Sequence, residues 1–550
     1  MKLRFIIALL ISIHFLSVRA EVKNLIRSFI TDHGQVIKSD LPIKSGTRYL
    51  LLMLQQWDQL SVELKAQYRT AAMQQPVREK AMSTPSGKFV LHWDENGVHA
   101  VPSEDISGNG IPDYIDSAAV IFDNVWEIEV NQLGFQAPLN EDGNTVTSYH
   151  VYFGLLKDPI SGWEYYGLTV PSLIDIPSVP GINYPSYMEV HKDFAGFPSE
   201  GLEGLKVTAA HEFHHAIQFC YNVRPTDYFF FEMTSTWIEN FIFPEIKDYY
   251  QYLPYFFYSV SNTRFDLYNA TTLFPYGNTL YVQMLEKQYS TNIVQEIWER
   301  IKIEPTLNAI NTVLSSTPYN RTWLESLSDY GLWLYYTGSR AIPGEFFNDA
   351  VEFPQVRIRS EDKINFNQKY HEEVYLAGLT NRYFELYGTN SLILEVFIAA
   401  MGSPTGGFRH LSSSSYSSFY PLNVPIVLHS IGSDTTVLVL CNAEDQDNLN
   451  TLDIKIAADV DLTSVYAYPN PVDVTSQGRN IRFLNVPPAA QLIIYNTTGK
   501  RVADIPGDGN SFLRTWDLSN TMGEVVASGV YIFYIQGDGV TQSGKLSIVR

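Results

Sequence analysis

Cysteine is almost absent from this chain: its 550 residues hold two, Cys220 and Cys441. Two thiols so far apart in sequence imply no disulfide framework, so any core has to come from apolar packing. Both read as small buried hydrophobes, and a bridge between them stays open. Positive charge is also scarce. Lys and Arg number 38 against 59 Asp and Glu, for a formal net charge of −21. That balance excludes the basic surface needed to displace phosphate counterions, and nucleic-acid binding with it. Beyond the first twenty residues there is no apolar run long enough to cross a bilayer. Apolar material is otherwise plentiful, at 45% hydrophobic and 14% aromatic residues. The chain is therefore not a disordered one, and its length calls for several domains.

The opening "MKLRFIIALLISIHFLSVRA" sets Lys2 and Arg4 before an apolar run from Phe5 to Leu16 and closes on the small pair Val18 and Ala20. This is the pattern of a secretory signal peptide spanning 1–20. Residues 21–82 read as a mostly helical leader, with Leu25, Ile26, Phe29 and Ile30 on one stripe and a second amphipathic stretch from Ser61 to Met73. A pro-segment and an N-terminal cap are both open for it. From 83 to 345 the texture mixes strands and helices. Alternating Phe89, Leu91 and Trp93 mark a first strand, 148–156 another, and helical runs cover 203–221, 229–243, 275–289 and 291–302. After 346 the chain turns to short alternating runs separated by Gly, Ser, Asn and Asp. The expected fold class is thus α+β, followed by two all-β sandwich modules at 346–460 and 461–550.

One helical stretch carries unusual chemistry. "VTAAHEFHHAIQF" holds His211, Glu212, His214 and His215 in an otherwise apolar helix. His211 and His215 are four apart and share a face, so both imidazoles reach one ion, with Glu212 beside them to act on a water. A catalytic zinc needs a third protein ligand and an open position. After the turn "NVRPTD" the next helix, "YFFFEMTSTWIENFIF", offers Glu232 near its start. Glu239, two turns on along the same face, is placed to receive an imidazole N–H. His214 lies a quarter turn away, toward a neighbouring carboxylate or solvent. The bland reading makes the histidines satisfied core residues and Glu232 a helix N-terminal acid. Burying so many ionisable groups without a common partner costs several kcal/mol, which favours the metal.

These two stretches together resemble the zincin metallopeptidases of gluzincin type, in particular a secreted bacterial group whose second helix reads E-x-x-A/S-x-W-x-E. The resemblance covers about residues 85 to 345. It implies zinc held by His211, His215 and Glu232, Glu212 as general base, and metal-assisted hydrolysis of a peptide bond. Met233 departs from the small residue common in that group. In gluzincins a tyrosine steadies the oxyanion, and Tyr276 in "LFPYGNTLYVQML" stands in a comparable place. With 35 tyrosines in the chain, a packing role for it stands beside that reading.

"EDISGNGIPDYID" sets Asp105, Ser107, Asn109, Asp113 and Asp116 at calcium-ligand offsets, with the Ile111 carbonyl between them and Gly110 at the sharp turn. It resembles EF-hand, dockerin and thrombospondin-type loops, although Ser107 replaces an acid and Asp116 a longer glutamate. A turn capping the next helix is the alternative. The C-terminal unit reads "VYAYPNPV", "QLIIYNTTGKRV", "RTWDLSN", "VVASGVYIFYIQ" and "GKLSIVR". In that order these resemble the C-terminal sorting domain of bacterial type IX secretion, which implies the type IX machinery as a partner and release to the outer-membrane surface or medium. The expectation is therefore a secreted zinc peptidase acting on protein or peptide substrates, with no transmembrane segment in the mature chain. The alternative is a cell-surface adhesion or glycan-binding protein with a non-catalytic zincin-like domain, for which the aromatic run "DYYQYLPYFFYSV" offers stacking surface. A further alternative gives surface binding to 346–460.

Overall fold

The computed structural model describes residues 43–549 except Gln56, 158–163, 175, 177–178, 269–271 and a series of short segments beyond residue 365. The signal-peptide reading of 1–20 and residues 21–42 of the leader lie outside the described residues.

The N-terminal half is a mixed α/β region built on one six-stranded sheet. Its strands are β1 (Ile43–Ser45), β2 (Lys80–Ser83), β3 (Phe89–Trp93), β4 (Tyr149–Gly154), β5 (Tyr165–Pro171) and β6 (Ser186–His191). The spatial order is β1-β5-β6-β4-β3-β2. Strands β3, β4 and β6 run parallel, β5 is antiparallel to β6, and β1 lies along the outer edge of β5 in parallel register. The alternation in the sequence is visible in β3, where Phe89, Leu91 and Trp93 are buried and Val90 and His92 are less so. Two strands fall inside the span read as a helical leader. β1 has three residues and β2 is a largely exposed edge, so neither offers a period-two pattern long enough to read.

Eleven α-helices follow in chain order among the described residues: α1 (Thr47–Gln55), α2 (Val62–Met73), α3 (Asp113–Trp126), α4 (Gly201–Gln218), α5 (Tyr228–Ile242), α6 (Leu253–Ser259), α7 (Phe274–Gly277), α8 (Thr279–Gln288), α9 (Asn292–Ile301), α10 (Thr306–Ser315) and α11 (Trp323–Tyr335). Helices α3 and α4 cover one face of the sheet, with Phe89 packed at ring-centre distances of 5.1 Å from Phe122 and 5.0 Å from Phe213. Helix α5 is buried on every side from Tyr228 to Glu239, its polar Glu232, Thr234, Ser235 and Glu239 included. The run expected as one helix over 275–289 is two. The chain breaks at Asn278, whose buried amide donates to the Phe265 carbonyl and whose oxygen accepts from the Tyr330 hydroxyl.

The C-terminal half is strand-rich and organised into several sheets, consistent with β-sandwich modules. A four-stranded sheet in the order 426–430, 392–400, 448–456 and 370–376 accompanies a six-stranded one centred on 380–387, 436–442 and 406–412. The second is sewn to α11: the Asn381 amide donates to the Leu327 carbonyl and the Tyr383 hydroxyl to that of Gly331. One apolar core therefore runs from Leu50 through α11 to Val437, Val439 and Cys441. A separate core joins Val465, Ile481, Leu492, Trp516, Phe533 and Ile548 in a three-stranded and a five-stranded sheet. Cys220 lies apart from Cys441, in a small cluster with Leu139 and Ile176.

Candidate metal centre

Helices α4 and α5 bring His211, His215 and Glu232 together, and their ligand atoms lie within 4.8 Å of one another. All three side chains are essentially inaccessible to solvent. The imidazoles stand nearly perpendicular, 85° apart with ring centres 4.8 Å from each other. Glu232 Oε2 is 3.3 Å from His211 Nε2 and 3.7 Å from His215 Nε2. Ligand atoms about 2.0–2.1 Å from a tetrahedral zinc are roughly 3.3 Å from each other, so these spacings suit such an ion. Both Nε2 atoms and both Glu232 oxygens are buried without a hydrogen-bond partner. Each such atom costs about 1–3 kcal/mol, and a shared dication would satisfy them together. Two imidazoles and a carboxylate are also a donor set that zinc accepts. The cluster resembles a gluzincin-type metal site.

The remaining ring nitrogens are spoken for. His211 Nδ1 is 2.6 Å from Glu239 Oε1. His215 Nδ1 is 2.6 Å from Gln218 Oε1, while the Gln218 amide donates to the Phe231 carbonyl and to the Thr234 and Ser235 hydroxyls. Such bonds fix which nitrogen faces the ion. Burial works against charge on both His211 and Glu232, yet their mutual contacts win. The Glu232 and Glu239 carboxylates beside His211 push it up to about 9, and the nearby imidazoles of His215 and His211 hold Glu232 well below the usual carboxylate range. His214 points away, its Nδ1 2.7 Å from Glu129 Oε2 in a fully buried pair. Burial raises Glu129 and lowers His214, each toward its neutral form.

Glu212 sits on the same turn of α4. Its Oε2 accepts from the Thr169 hydroxyl at 2.9 Å and from the Thr47 hydroxyl at 2.8 Å, and its Oε1 is buried without a partner. Strand β5 comes this close because Gly167 has no side chain: a Cβ there would stand 2.8 Å from Glu212 Cγ and 2.7 Å from Thr208 Cγ2. Tyr276, on the short helix α7, is buried with its ring centre 6.2 Å from that of His211 and 4.9 Å from that of Tyr252. Met233 is fully buried and accepts from the Asn278 amide through its sulfur.

Sequence reasoning missed Thr47, Thr169, Gln218 and Lys44. Gln218 was recoverable, being three residues past His215 on the same face. The two threonines and the lysine carry no local signal, since they reach the site from β5, from the start of α1 and from β1. Lys44 is fully buried, with its ammonium 2.7 Å from Glu239 Oε2 and 2.6 Å from Asp248 Oδ2.

The 105–116 loop is distant from this cluster in character: exposed and closed on itself. Asp105 accepts backbone N–H groups from Gly108, Asn109 and Gly110 and the Ser107 hydroxyl. Asp113 accepts from the Ile106 and Ser107 N–H groups, and Asp116 from the Asn109 amide, whose own oxygen accepts the Ile111 N–H. The aromatic run at 248–260 turns most of its rings inward. Tyr249, Tyr252, Phe256 and Phe257 are buried, while Tyr255 and Tyr258 are exposed. Among the described residues, no helix is long and apolar enough to cross a membrane.

No family model matches the chain, and no curated protein matches it. Solved structures match over parts of it. They include PorZ, described as a surface component of the type-IX secretion system of Porphyromonas gingivalis, 21% identical over 20% of this chain and 15% of that one, at a TM-score of 0.15. Dimeric latent PorU from the same organism is 17% identical over 35% of this chain and 19% of that one, also at 0.15. The pre-peptidase C-terminal domain of collagenase from Bacillus anthracis is 10% identical over 17% of this chain and 92% of that one, again at 0.15. At such TM-scores these likenesses carry no argument, and the functional reading rests on the metal centre.

Proposed function

We propose that this chain is a secreted zinc-dependent peptidase. The observation that carries the reading is the set of buried, unpartnered ligand atoms of His211, His215 and Glu232 with the Glu212 carboxylate on the same helical turn. Zinc bound there would supply a Lewis acid that lowers the pKa of water toward about 7 and polarises a carbonyl. Glu212 takes the proton from the attacking water and returns it to the leaving amine. The Thr169 hydroxyl holds the Glu212 carboxylate in place. Glu239 and Gln218 orient the two imidazoles, and Tyr276 is the candidate to steady the oxyanion.

From the sequence alone, by pattern and by resemblance, the reading extends to a signal peptide at 1–20, a leader at 21–82, a catalytic unit at 83–345, an accessory β module at 346–460 and a type IX sorting module at 461–550. Those assignments place the mature protein at the cell surface or in the medium. They also give calcium to the 105–116 loop, which a calcium-dependent rise in melting temperature would test. The central test is elemental analysis of the purified mature chain beside Glu232→Ala. About one zinc per chain is expected, lost in the variant. A correctly folded protein that takes up no zinc would sink the proposal.

A further inference from the structure

The leader does not stop at the edge of the domain: it enters the metal centre. β1 lies along the outer edge of β5, and immediately after it the Gly46 N–H donates to the Gly167 carbonyl at 2.8 Å. Thr47 follows. Its hydroxyl oxygen accepts the Thr169 N–H at 2.7 Å and donates to Glu212 Oε2 at 2.8 Å. Just upstream, Lys44 ion-pairs with Glu239, the same carboxylate that holds His211. Farther along, the Tyr68 hydroxyl and the Arg69 guanidinium donate to the carbonyls of Pro171 and Leu173, and the Tyr268 hydroxyl donates to the Arg48 carbonyl. The attachments thus gather along β5, the loop after it, and the carboxylates around the imidazoles.

Two consequences follow from elementary chemistry. With residues 43–55 docked on β5 and Thr47 on Glu212, His211, Glu212, His215 and Glu232 are each at most 1% exposed. And the leader fills a sheet edge whose N–H and C=O groups would otherwise pair with any extended peptide. We propose that residues 43–55 are an intramolecular mask: they occupy the peptide-binding edge of β5 and tie up the general base through Thr47, so the chain is latent until this segment leaves. The proposal rests on the peptidase reading for its purpose, but the masking itself can be tested separately.

Close approach is built in at Gly46, where a Cβ would stand 2.9 Å from the Leu168 Cβ. Gly46→Val should therefore push the leader off β5 without altering a residue of the metal centre. The test uses the mature full chain loaded with zinc, the Gly46→Val chain, and a chain with a site-specific protease sequence inserted after the exposed Met73, cut and freed of its leader. Transfer of zinc to a chromogenic chelator and cleavage of an unstructured peptide library are read in each, with circular dichroism to check folding. Both altered forms should release zinc about tenfold faster or more, because opening no longer has to precede access, and should gain peptide cleavage. Faster zinc transfer without any cleavage would uphold the mask and sink the peptidase reading. Equal transfer rates in folded chains with and without the leader would overturn the mask, as would loss of fold on removing the leader together with an unchanged rate in Gly46→Val. A chain that binds no zinc in any form overturns both.

Discussion

Glu212 and the two imidazoles beside it were legible from spacing alone, because residues four apart on a helix must share a face. What spacing could not give is how tightly each is held. Glu212 is fixed by Thr169 from β5 and by Thr47 from the start of α1, and His215 by Gln218 one turn along. Glu212→Gln keeps the shape and removes the proposed base. Zinc content should stay unchanged, and peptide cleavage by the unmasked chain should fall by a factor of about 10²–10⁴; retained cleavage would exclude Glu212 as the base. Gln218→Ala leaves His215 Nδ1 only the Ser235 hydroxyl at 3.2 Å. Competition against a chelator should then show zinc affinity lowered by about 10–100-fold, the usual effect of losing an orienting partner.

Among the elements, α4 and α5 declared themselves by composition, whereas β1 and the break between α7 and α8 did not. A three-residue strand has no period to read, and the break depends on tertiary partners of Asn278 that lie on other segments. Gly277, at that break, is packed against the ring and Cβ of Phe256. Gly277→Ala should destabilise the fold by about 1–3 kcal/mol, visible as a lower urea midpoint. The docking of β1 depends on Lys44, which faces Asp248 and Glu239 and lies 4.7 Å from the centre of the Tyr166 ring. Burial alone would lower Lys44, but Asp248 and Glu239 raise it above 10.5, so its contribution is complete below that value and lost only as pH climbs through the raised pKa. Burial would raise Asp248, but Lys44, Ser199 and Tyr166 hold it below 3.8, so its contribution is complete above that value and lost only as pH falls through the lowered one. After the cut, the fraction of leader that co-elutes with the rest of the chain should therefore be flat from about pH 5 to 9. Acid release near pH 6 would contradict this ion-pair account.

For the molecule as a whole, the strand-rich C-terminal half was legible from its alternating runs, but the continuity of one core across residue 345 was not. That continuity comes from contacts such as Asn381 with Leu327 and Tyr383 with Gly331, whose partners are some fifty residues apart. By contrast, 465–548 closes a core of its own. Removing 461–550 should leave the zinc content of the remainder, and its melting temperature within about 2 °C, unchanged; a large fall would show the two cores to be coupled. Because α1 and α2 join β1 covalently to β2 and β3, the leader meets β5 at an effective concentration set by the intervening chain rather than by the amount of protein present. An uncut precursor therefore stays closed at any dilution. Once cut, the same leader becomes an ordinary bimolecular inhibitor, lost simply by diffusing into a larger volume.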